Sequence, residues 1–326
     1  MREMRQRLLG GSGLRVGEMC LGTMTFGNGG PIDGADETAC REIYAAYRSA
    51  GGNFLDTADV YAGGGSEEIV GRLVAGERDE VVIATKFTLP TGADANSGGG
   101  HRKSLRRSVE TSLRRLRTDH VDVLLLHAWD RCTPAEETLR ALDDLVRSGK
   151  VLALGVSNTP AWVVARSQAI AELRGWSSFC SLQAEYSLAS RSADRELLPM
   201  ARGLGLAVTA SSPLARGLLA GKTPGPSGAA FFPAWKQGAD AAAETAAELG
   251  TTPARVALAW LLRQGVIPVL GASRPGQLHD NLEALDVRLD DTQMERLDTA
   301  TRVDPGHPHS FLETRCPTLS PSAYQS

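Results

Sequence analysis

Eight short apolar runs, each followed by a longer amphipathic segment, recur from one end of this 326-residue chain to the other. They occupy residues 19–24, 53–58, 81–86, 121–127, 151–157, 179–184, 206–211 and 266–271. Several, such as VDVLLLH and AVTASS, are nearly continuous in apolar residues. That is the pattern of parallel strands covered on both faces.

The segments between them carry helix punctuation. Residues 36–50 present Ile43, Ala46 and Tyr47 on one side and stop at Gly51-Gly52. Ser66-Glu67-Glu68 reads as an N-cap with acids in the first turn. Leu105, Val109, Leu113 and Leu116 form one stripe, with arginines opposite. Thr133-Pro134, Thr159-Pro160, Thr252-Pro253 and Arg274-Pro275 each read as a helix start with proline at the first position.

Eight strand-then-helix units predict an α/β fold, a (β/α)8 TIM barrel formed by residues 1–326 as one domain. An N-terminal β-hairpin is expected around residues 11–17, an extra helix near the C-terminus, and a tail over 303–326. The structural rival is a doubly wound sheet, which announces itself by a glycine-rich turn between an early strand and a helix. Gly11-Ser12-Gly13 through Gly17 is not followed by a helix pattern. The glycine-rich stretches 92–100 and 221–228 are expected as βα loops on the active face, the first of them flexible.

Charge and cysteine usage narrow the function. Lys plus Arg is 35 and Asp plus Glu 38, a net charge of −3, which gives no electrostatic case for nucleic acid or an anionic membrane. No run approaches the roughly 18 apolar residues of a membrane helix, and residues 1–10 are basic without an apolar core behind them. The five cysteines (Cys20, Cys40, Cys132, Cys180, Cys316) are scattered and form no CxxC pair. Neither a disulfide framework nor a zinc site is expected, and the location is read as reducing and cytoplasmic.

In such a barrel the chemistry lies where the strands end. Asp56 closes the second run, with Tyr61 in the loop beyond it. Lys86 closes the third, His127 the fourth and Ser157-Asn158 the fifth; Gln183, Ser211-Ser212 and Ser273-Arg274 follow at the remaining ends. Each has a bland explanation alone: a turn-capping Asp, a packing Tyr, a solvated Lys, a hydrogen-bonded core His. Together they suit proton donation, because burying such groups near one another is costly unless they pair. A cation beside a phenol favours the phenolate and lowers its pKa. Lys86 is expected to do this for Tyr61, with Asp56 holding Lys86. No nucleophile elbow and no carboxylate-rich metal set is evident, so the acid needs a partner that attacks carbon, and hydride fits.

These residues resemble the aldo-keto reductase superfamily over roughly residues 5–300. The segments GGNFLDTADVYAGGGSEEIVGRLV, VVIATK, VDVLLLHAWD, GKVLALGVSN, SLQAEYSL, SSPLARGLLAGK and IPVLGASRPGQLHDNLEAL match its motifs in order. The LHAWD and GASRP segments look like bacterial members that also resemble potassium-channel β-subunits. The resemblance implies Tyr61 as general acid, Asp56 and Lys86 as its tuning pair, and His127 as the donor that orients a carbonyl. It implies a nicotinamide cofactor across the barrel mouth. Gly22, Thr23 and Met24 would approach its nicotinamide and ribose. Ser157, Asn158 and Gln183 would hold the carboxamide, and Ser212, Pro213, Leu214 and Gly217 would follow the pyrophosphate.

Gly271 to Asn281 lies at a helix start, where free amides and the dipole favour an anion. Arg274 adds a planar cation for a phosphate, Ser273 and Gln277 add hydrogen bonds, and Asn281 reaches toward adenine. No acid stands within 271–277 to grip a ribose 2′-hydroxyl, so NADPH is favoured over NADH. Many relatives carry a stacking aromatic where this chain has Ser211. Contact there would then rest on Gln183, Met24 or a nearby ring such as Tyr186.

Trp129, just after His127, is the expected wall of a substrate pocket, and Phe231, Phe232 and Trp235 form either a lid or a surface anchor. His307 and His309 read as an exposed end rather than a metal site, and His101-Arg102-Lys103 as a solvated helix start. The expected substrate is a small-molecule carbonyl compound: an aldehyde, ketone, keto-sugar or polyketide-like ketone. A homo-oligomer is compatible with the chain. Two alternatives stay open: a cofactor-binding redox sensor or partner-regulating subunit on the same fold, and a barrel lyase or isomerase using Lys86 as a Schiff base.

Overall fold

The structure is a computed structural model that describes residues 2–27, 34–222 and 232–315. Two short antiparallel strands open the chain, β1 (Gln6–Leu8) and β2 (Arg15–Gly17), with Leu8 opposite Arg15. Eight parallel strands follow: β3 (Cys20–Gly22), β4 (Phe54–Asp56), β5 (Val82–Phe87), β6 (Val121–Leu126), β7 (Val151–Ser157), β8 (Phe179–Glu185), β9 (Ala207–Ser211) and β10 (Ile267–Gly271). They close in sequence order, with β10 pairing both β9 and β3. This is the expected (β/α)8 barrel.

The helices are α1 (Glu37–Ser49), α2 (Gly65–Leu73), α3 (Arg102–Leu116), α4 (Ala135–Arg147), α5 (Ala161–Arg174), α6 (Leu197–Gly203), α7 (Phe232–Leu249), α8 (Pro253–Arg263) and α9 (Pro275–Leu282). Beyond the last barrel unit come α10 (Asp291–Thr301) and α11 (His309–Arg315). Among the described residues no helix is long and apolar enough to cross a membrane.

Alternation with period two sorts the strand side chains. Cys20, Phe54, Val82, Ala84, Val123 and Leu125 form one buried cluster with Leu9 and Val16 of the hairpin, inside the barrel. Leu21, Leu55, Ile83, Leu124, Leu154 and Leu182 belong to the larger cluster shared with the helices. The hairpin presses on the N-terminal end of the barrel. At Gly10, φ is 58° and a Cβ would lie 2.0 Å from the Cys180 carbonyl oxygen, so only glycine fits. Stepping two residues onward from the interior set reaches Gly22, Asp56, Lys86 and His127, at the opposite end of the barrel.

Several local expectations are corrected. Ser66 does not cap α2: the helix begins at Gly65, and Ser66 is buried, with its hydroxyl bonded to the Thr23 carbonyl at 2.7 Å. Pro134 and Pro160 sit at the N-cap rather than inside the first turn, while Pro253 and Pro275 occupy the first turn as expected. The 92–100 loop carries hydrogen bonds of its own at residues 92 and 97–100. The Ser97 hydroxyl donates to the Gly92 carbonyl, the Gly99 amide to Thr88, and the Gly100 amide to the Asp130 carboxylate. His101 caps α3, its Nδ1 accepting from the Ser104 amide. The expected lid loop is partly helix. Phe232 opens α7, and Trp235 is buried in its first turn. Phe231, Cys316 and residues 223–228 lie outside the described residues.

Candidate active site

The C-terminal mouth of the barrel gathers polar side chains from successive strands. Lys86, at no measurable exposure, donates from Nζ to Asp56 Oδ1 at 2.6 Å and to the Thr57 carbonyl at 2.8 Å. It also donates to the Tyr61 hydroxyl at 3.2 Å. Burial works against the ammonium, but the Asp56 charge and the neighbouring oxygens outweigh it and raise the Lys86 pKa above its ordinary value. An ammonium in such surroundings persists only because it is paired and hydrogen-bonded.

The Tyr61 phenol behaves differently from the sequence expectation. Its pKa is raised, because burial outweighs the opposing pull of Lys86. The group is therefore a fully protonated phenol at neutral pH with a cation waiting beside it for the charge it would leave behind. The His127 ring stands edge-on to Tyr61, with centroids 6.0 Å apart at 83°. Burial and then the Lys86 charge push the His127 pKa down to about 3, so the imidazole is neutral. Its Nδ1 is buried without a hydrogen-bond partner among the described residues.

Gln183 enters this group from across the barrel. Its Nε2 donates to Asp56 Oδ2 at 2.8 Å, so the carboxylate is held by both Lys86 and Gln183. Asn158 has a φ of 43°, a left-handed conformation that asparagine tolerates. Its Nδ2 donates to the His127 carbonyl at 2.8 Å and to Ser157 Oγ at 3.1 Å. Thr23 is fully engaged, its hydroxyl bonded to the Asp56 carbonyl at 3.0 Å and to Ser66 and its amide donating to the same Asp56 carbonyl at 2.9 Å, leaving Gly22 and the half-exposed Met24 at the mouth.

Other predicted residues lie around the rim rather than in this cluster. Beyond Ser211, four residues of the turn carry positive φ: Ser212 (51°), Ala215 (49°), Arg216 (56°) and Gly217 (96°). The Ala215 and Gly217 amides close the turn on itself, donating to the Ser212 and Leu214 carbonyls at 2.9 Å each; Pro213 and Leu214 lie within it. At the start of α9, Gln277 Oε1 accepts from the Ser273 and Arg274 amides at 2.9 and 3.2 Å. Those amides are thus already engaged. Arg274 is exposed and pairs with no carboxylate among the described residues, and Asn281 is buried on the same helix. Tyr186 is not a ring for the space beside Ser211. It is buried against Trp260, centroids 5.4 Å apart, with its hydroxyl on Asp194.

The arrangement fits a nicotinamide nucleotide at several points. Gln183 Oε1 and Asn158 Oδ1 have no partners among the described residues, so both can accept from a carboxamide. The exposed Arg274 guanidinium suits a phosphate.

Three groups escaped sequence reasoning. Trp162, in the first turn of α5, stands edge-on to Trp129 at 5.6 Å, and is 61% exposed. Arg115 and Glu67 form a pair at 3.1 Å, with Glu67 fully buried. Asp59 is buried, with Oδ2 bonded to the Ser108 hydroxyl and Oδ1 unpartnered among the described residues. The DTADVY spacing marks the last, but nothing in it signals burial.

Burial pushes the Asp59 pKa up to about 7, against the Ser108 hydrogen bond that lowers it. The folded state therefore holds a proton that the unfolded state, with an ordinary value near 3.8, releases earlier. Stability from this group is full below pH ~4 and is lost as pH rises through about 7. Asp59→Asn should remove that slope. Relative to the natural chain it should gain up to about 1.4 kcal/mol per pH unit across the window. Urea denaturation at pH 5 and pH 8 measures this; an equal effect at both would contradict the protonated carboxyl.

The fold and its mouth define a (β/α)8 barrel enzyme. The profile of the Aldo/keto reductase family matches residues 18–302. The chain is 36% identical to a norsolorinic acid reductase of Aspergillus flavus, over 94% of this chain and 83% of that protein. It is 36% identical to the aryl-alcohol dehydrogenase GME11368 of Pestalotiopsis microspora, over 94% and 85%. It is 39% identical to the oxidoreductase YrpG of Bacillus subtilis, over 88% and 93%. This chain belongs to the aldo/keto reductase family and is an oxidoreductase that acts on carbonyl compounds. The cofactor of that family is a nicotinamide nucleotide, NAD(P)H.

Proposed function

We propose that this chain is an NADPH-dependent carbonyl reductase in which Tyr61 is the general acid. The observation that carries the reading is the Lys86 ammonium, bonded at once to Asp56 and to the Tyr61 hydroxyl. When bound, the reduced nicotinamide supplies a hydride to the carbonyl carbon. The chain supplies the rest. The Tyr61 hydroxyl gives its proton to the carbonyl oxygen, and Lys86 stabilises the phenolate left behind until solvent returns the proton. The neutral His127 offers a ring N–H to the same oxygen without competing as an acid. Asp56, held by Gln183, keeps Lys86 charged.

Gly22, Thr23 and Met24 would meet the nicotinamide end, with Ser157, Asn158 and Gln183 on its carboxamide. Ser211, Ser212, Pro213, Leu214 and Gly217 would follow the pyrophosphate, and Gly271, Ser273, Arg274, Gln277 and Asn281 the adenine nucleotide. The exposed Arg274 and the absence of acids within 271–277 favour the 2′-phosphate. Trp129 and Trp162 offer flat apolar surface beside the mouth, which suits an aromatic aldehyde or ketone. The aryl-alcohol dehydrogenase among the relatives supports that class.

An NADPH-depletion screen across aryl, alkyl and sugar carbonyls tests the reading. Turnover on aryl substrates is expected, and its absence across the panel despite cofactor binding would favour a sensor. Arg274→Ala should weaken NADPH by about 10- to 150-fold, the range for a hydrogen bond to a charged group (1.5–3 kcal/mol), while leaving NADH nearly unchanged. Fluorescence titration reads both constants; equal losses would remove the case for the phosphate.

A further inference from the structure

The turn that presents Tyr61 is costly for the chain to hold. Three consecutive residues after it have positive φ: Ala62 at 49°, Gly63 at 62° and Gly64 at 103°. An alanine in that region costs roughly 1–2 kcal/mol, and a turn of this kind persists only when its surroundings hold it.

One side chain from outside the turn does so. Arg115, in the last turn of α3, donates from Nη1 to the Asp59 carbonyl at 2.9 Å and to Glu67 Oε2 at 3.1 Å. Its Nη2 lies 3.4 Å from the Gly63 carbonyl. The guanidinium also rests on bare backbone: a Cβ at Gly64 would lie 2.1 Å from Arg115 Cζ. Glu67 is the anchor, and its Oε1 accepts from the Thr85 hydroxyl at 2.7 Å. Thr85 is the neighbour of Lys86 on β5, and the Asp59 amide donates to the Lys86 carbonyl at 3.2 Å. The same fork of donors thereby reaches the strand that carries the ammonium and the turn that carries the phenol.

We propose that Arg115, set against Glu67, is a positioning residue that keeps the Tyr61 hydroxyl on the Lys86 ammonium. It touches none of the reacting atoms and acts through the 59–64 turn. The inference rests on Tyr61 being the acid, and goes beyond it in naming what aims the phenol. A planar guanidinium reaches three acceptors in fixed directions, whereas a lysine ammonium on a flexible stem does not.

The test compares Arg115→Ala, Arg115→Lys, Gly64→Ala, Tyr61→Phe and Arg115→Ala/Tyr61→Phe. Each is checked for folding by thermal melting and for NADPH binding by fluorescence. Arg115→Ala should lower kcat by roughly 10- to 100-fold, the scale of a misplaced catalytic group, with NADPH affinity within about threefold of the natural chain. Guanidinium ion at low millimolar concentration should restore part of that kcat but none in Tyr61→Phe, and Arg115→Lys should not rescue it. The double variant should be no slower than Tyr61→Phe alone. Gly64→Ala, which displaces the guanidinium while keeping its charge, should show the same kcat loss and serves if Arg115→Ala does not fold.

The 13Cζ resonance of Tyr61, assigned from its absence in Tyr61→Phe, gives a readout independent of turnover. Its titration midpoint should move by about half a pH unit or more in Arg115→Ala. Folded Arg115 and Gly64 variants with kcat within twofold of the natural chain and an unmoved Tyr61 midpoint would overturn the proposal. A Tyr61→Phe enzyme that keeps its turnover would overturn the acid assignment instead, and the resonance would still decide whether Arg115 positions the ring.

Discussion

Tyr61→Phe is expected to lower kcat for carbonyl reduction by about 10²- to 10⁴-fold, the usual contribution of a positioned general acid. NADPH affinity should be nearly unchanged, because the proposed role of the lost hydroxyl is toward the substrate carbonyl and not the cofactor. The substitution removes one oxygen and keeps the ring, so the edge-on contact with His127 survives. Lys86 keeps Asp56 and the Thr57 carbonyl as partners, so no buried charge is left alone. The variant should therefore fold, and its loss reports chemistry. The raised Tyr61 pKa sets the pH dependence. The phenol stays protonated across neutral pH, so reduction should lose rate on the alkaline side only above the ordinary phenol value of about 10. A folded Tyr61→Phe enzyme with near-natural kcat contradicts the assignment.

Lys86→Met should be worse for stability and comparably damaging to turnover. Lys86 is fully buried, and its removal strands the Asp56 carboxylate with Gln183 as its remaining side-chain donor. Breaking one partner out of a buried ion pair costs about 3–5 kcal/mol. Urea denaturation should show that loss, and kcat should fall because the phenolate has no counter-charge. Asp56→Asn/Lys86→Met removes both charges. It should recover part of the stability while staying inactive, which separates the structural cost from the chemical one. If the double variant is no more stable than Lys86→Met, the stranded charge is not the cause.

The barrel and most of its mouth were legible because both follow from alternation along apolar runs. Val82, Ala84 and Lys86 share one face of β5, and Val123 and Leu125 of β6 continue that rule to His127, the residue just beyond it. A polar residue at the end of such a run projects into the mouth wherever the chain closes. What escaped the sequence depends on partners far apart in it. Arg115 lies 48 residues from Glu67, and no local pattern pairs them. Ser66 reads as a cap from its neighbours, yet tertiary contacts with Thr23 and Thr57 take its hydroxyl inward. The direction of the Tyr61 pKa was missed for a related reason: the cation is visible from the motifs, but the extent of burial is not. Trp162 carries no signal beyond a helix start, and its place beside Trp129 comes from the closure of the barrel.

Transfer of label tests the central claim most directly. The enzyme is given NADPH bearing deuterium at nicotinamide C4, with each face labelled in turn, and an aryl aldehyde, and the alcohol is examined by proton NMR. The account predicts deuterium on the carbinol carbon from one face only, and its near-complete loss in Tyr61→Phe at equal cofactor occupancy. Label absent from the alcohol made by the natural chain, or delivered as fast without the Tyr61 hydroxyl, would contradict it.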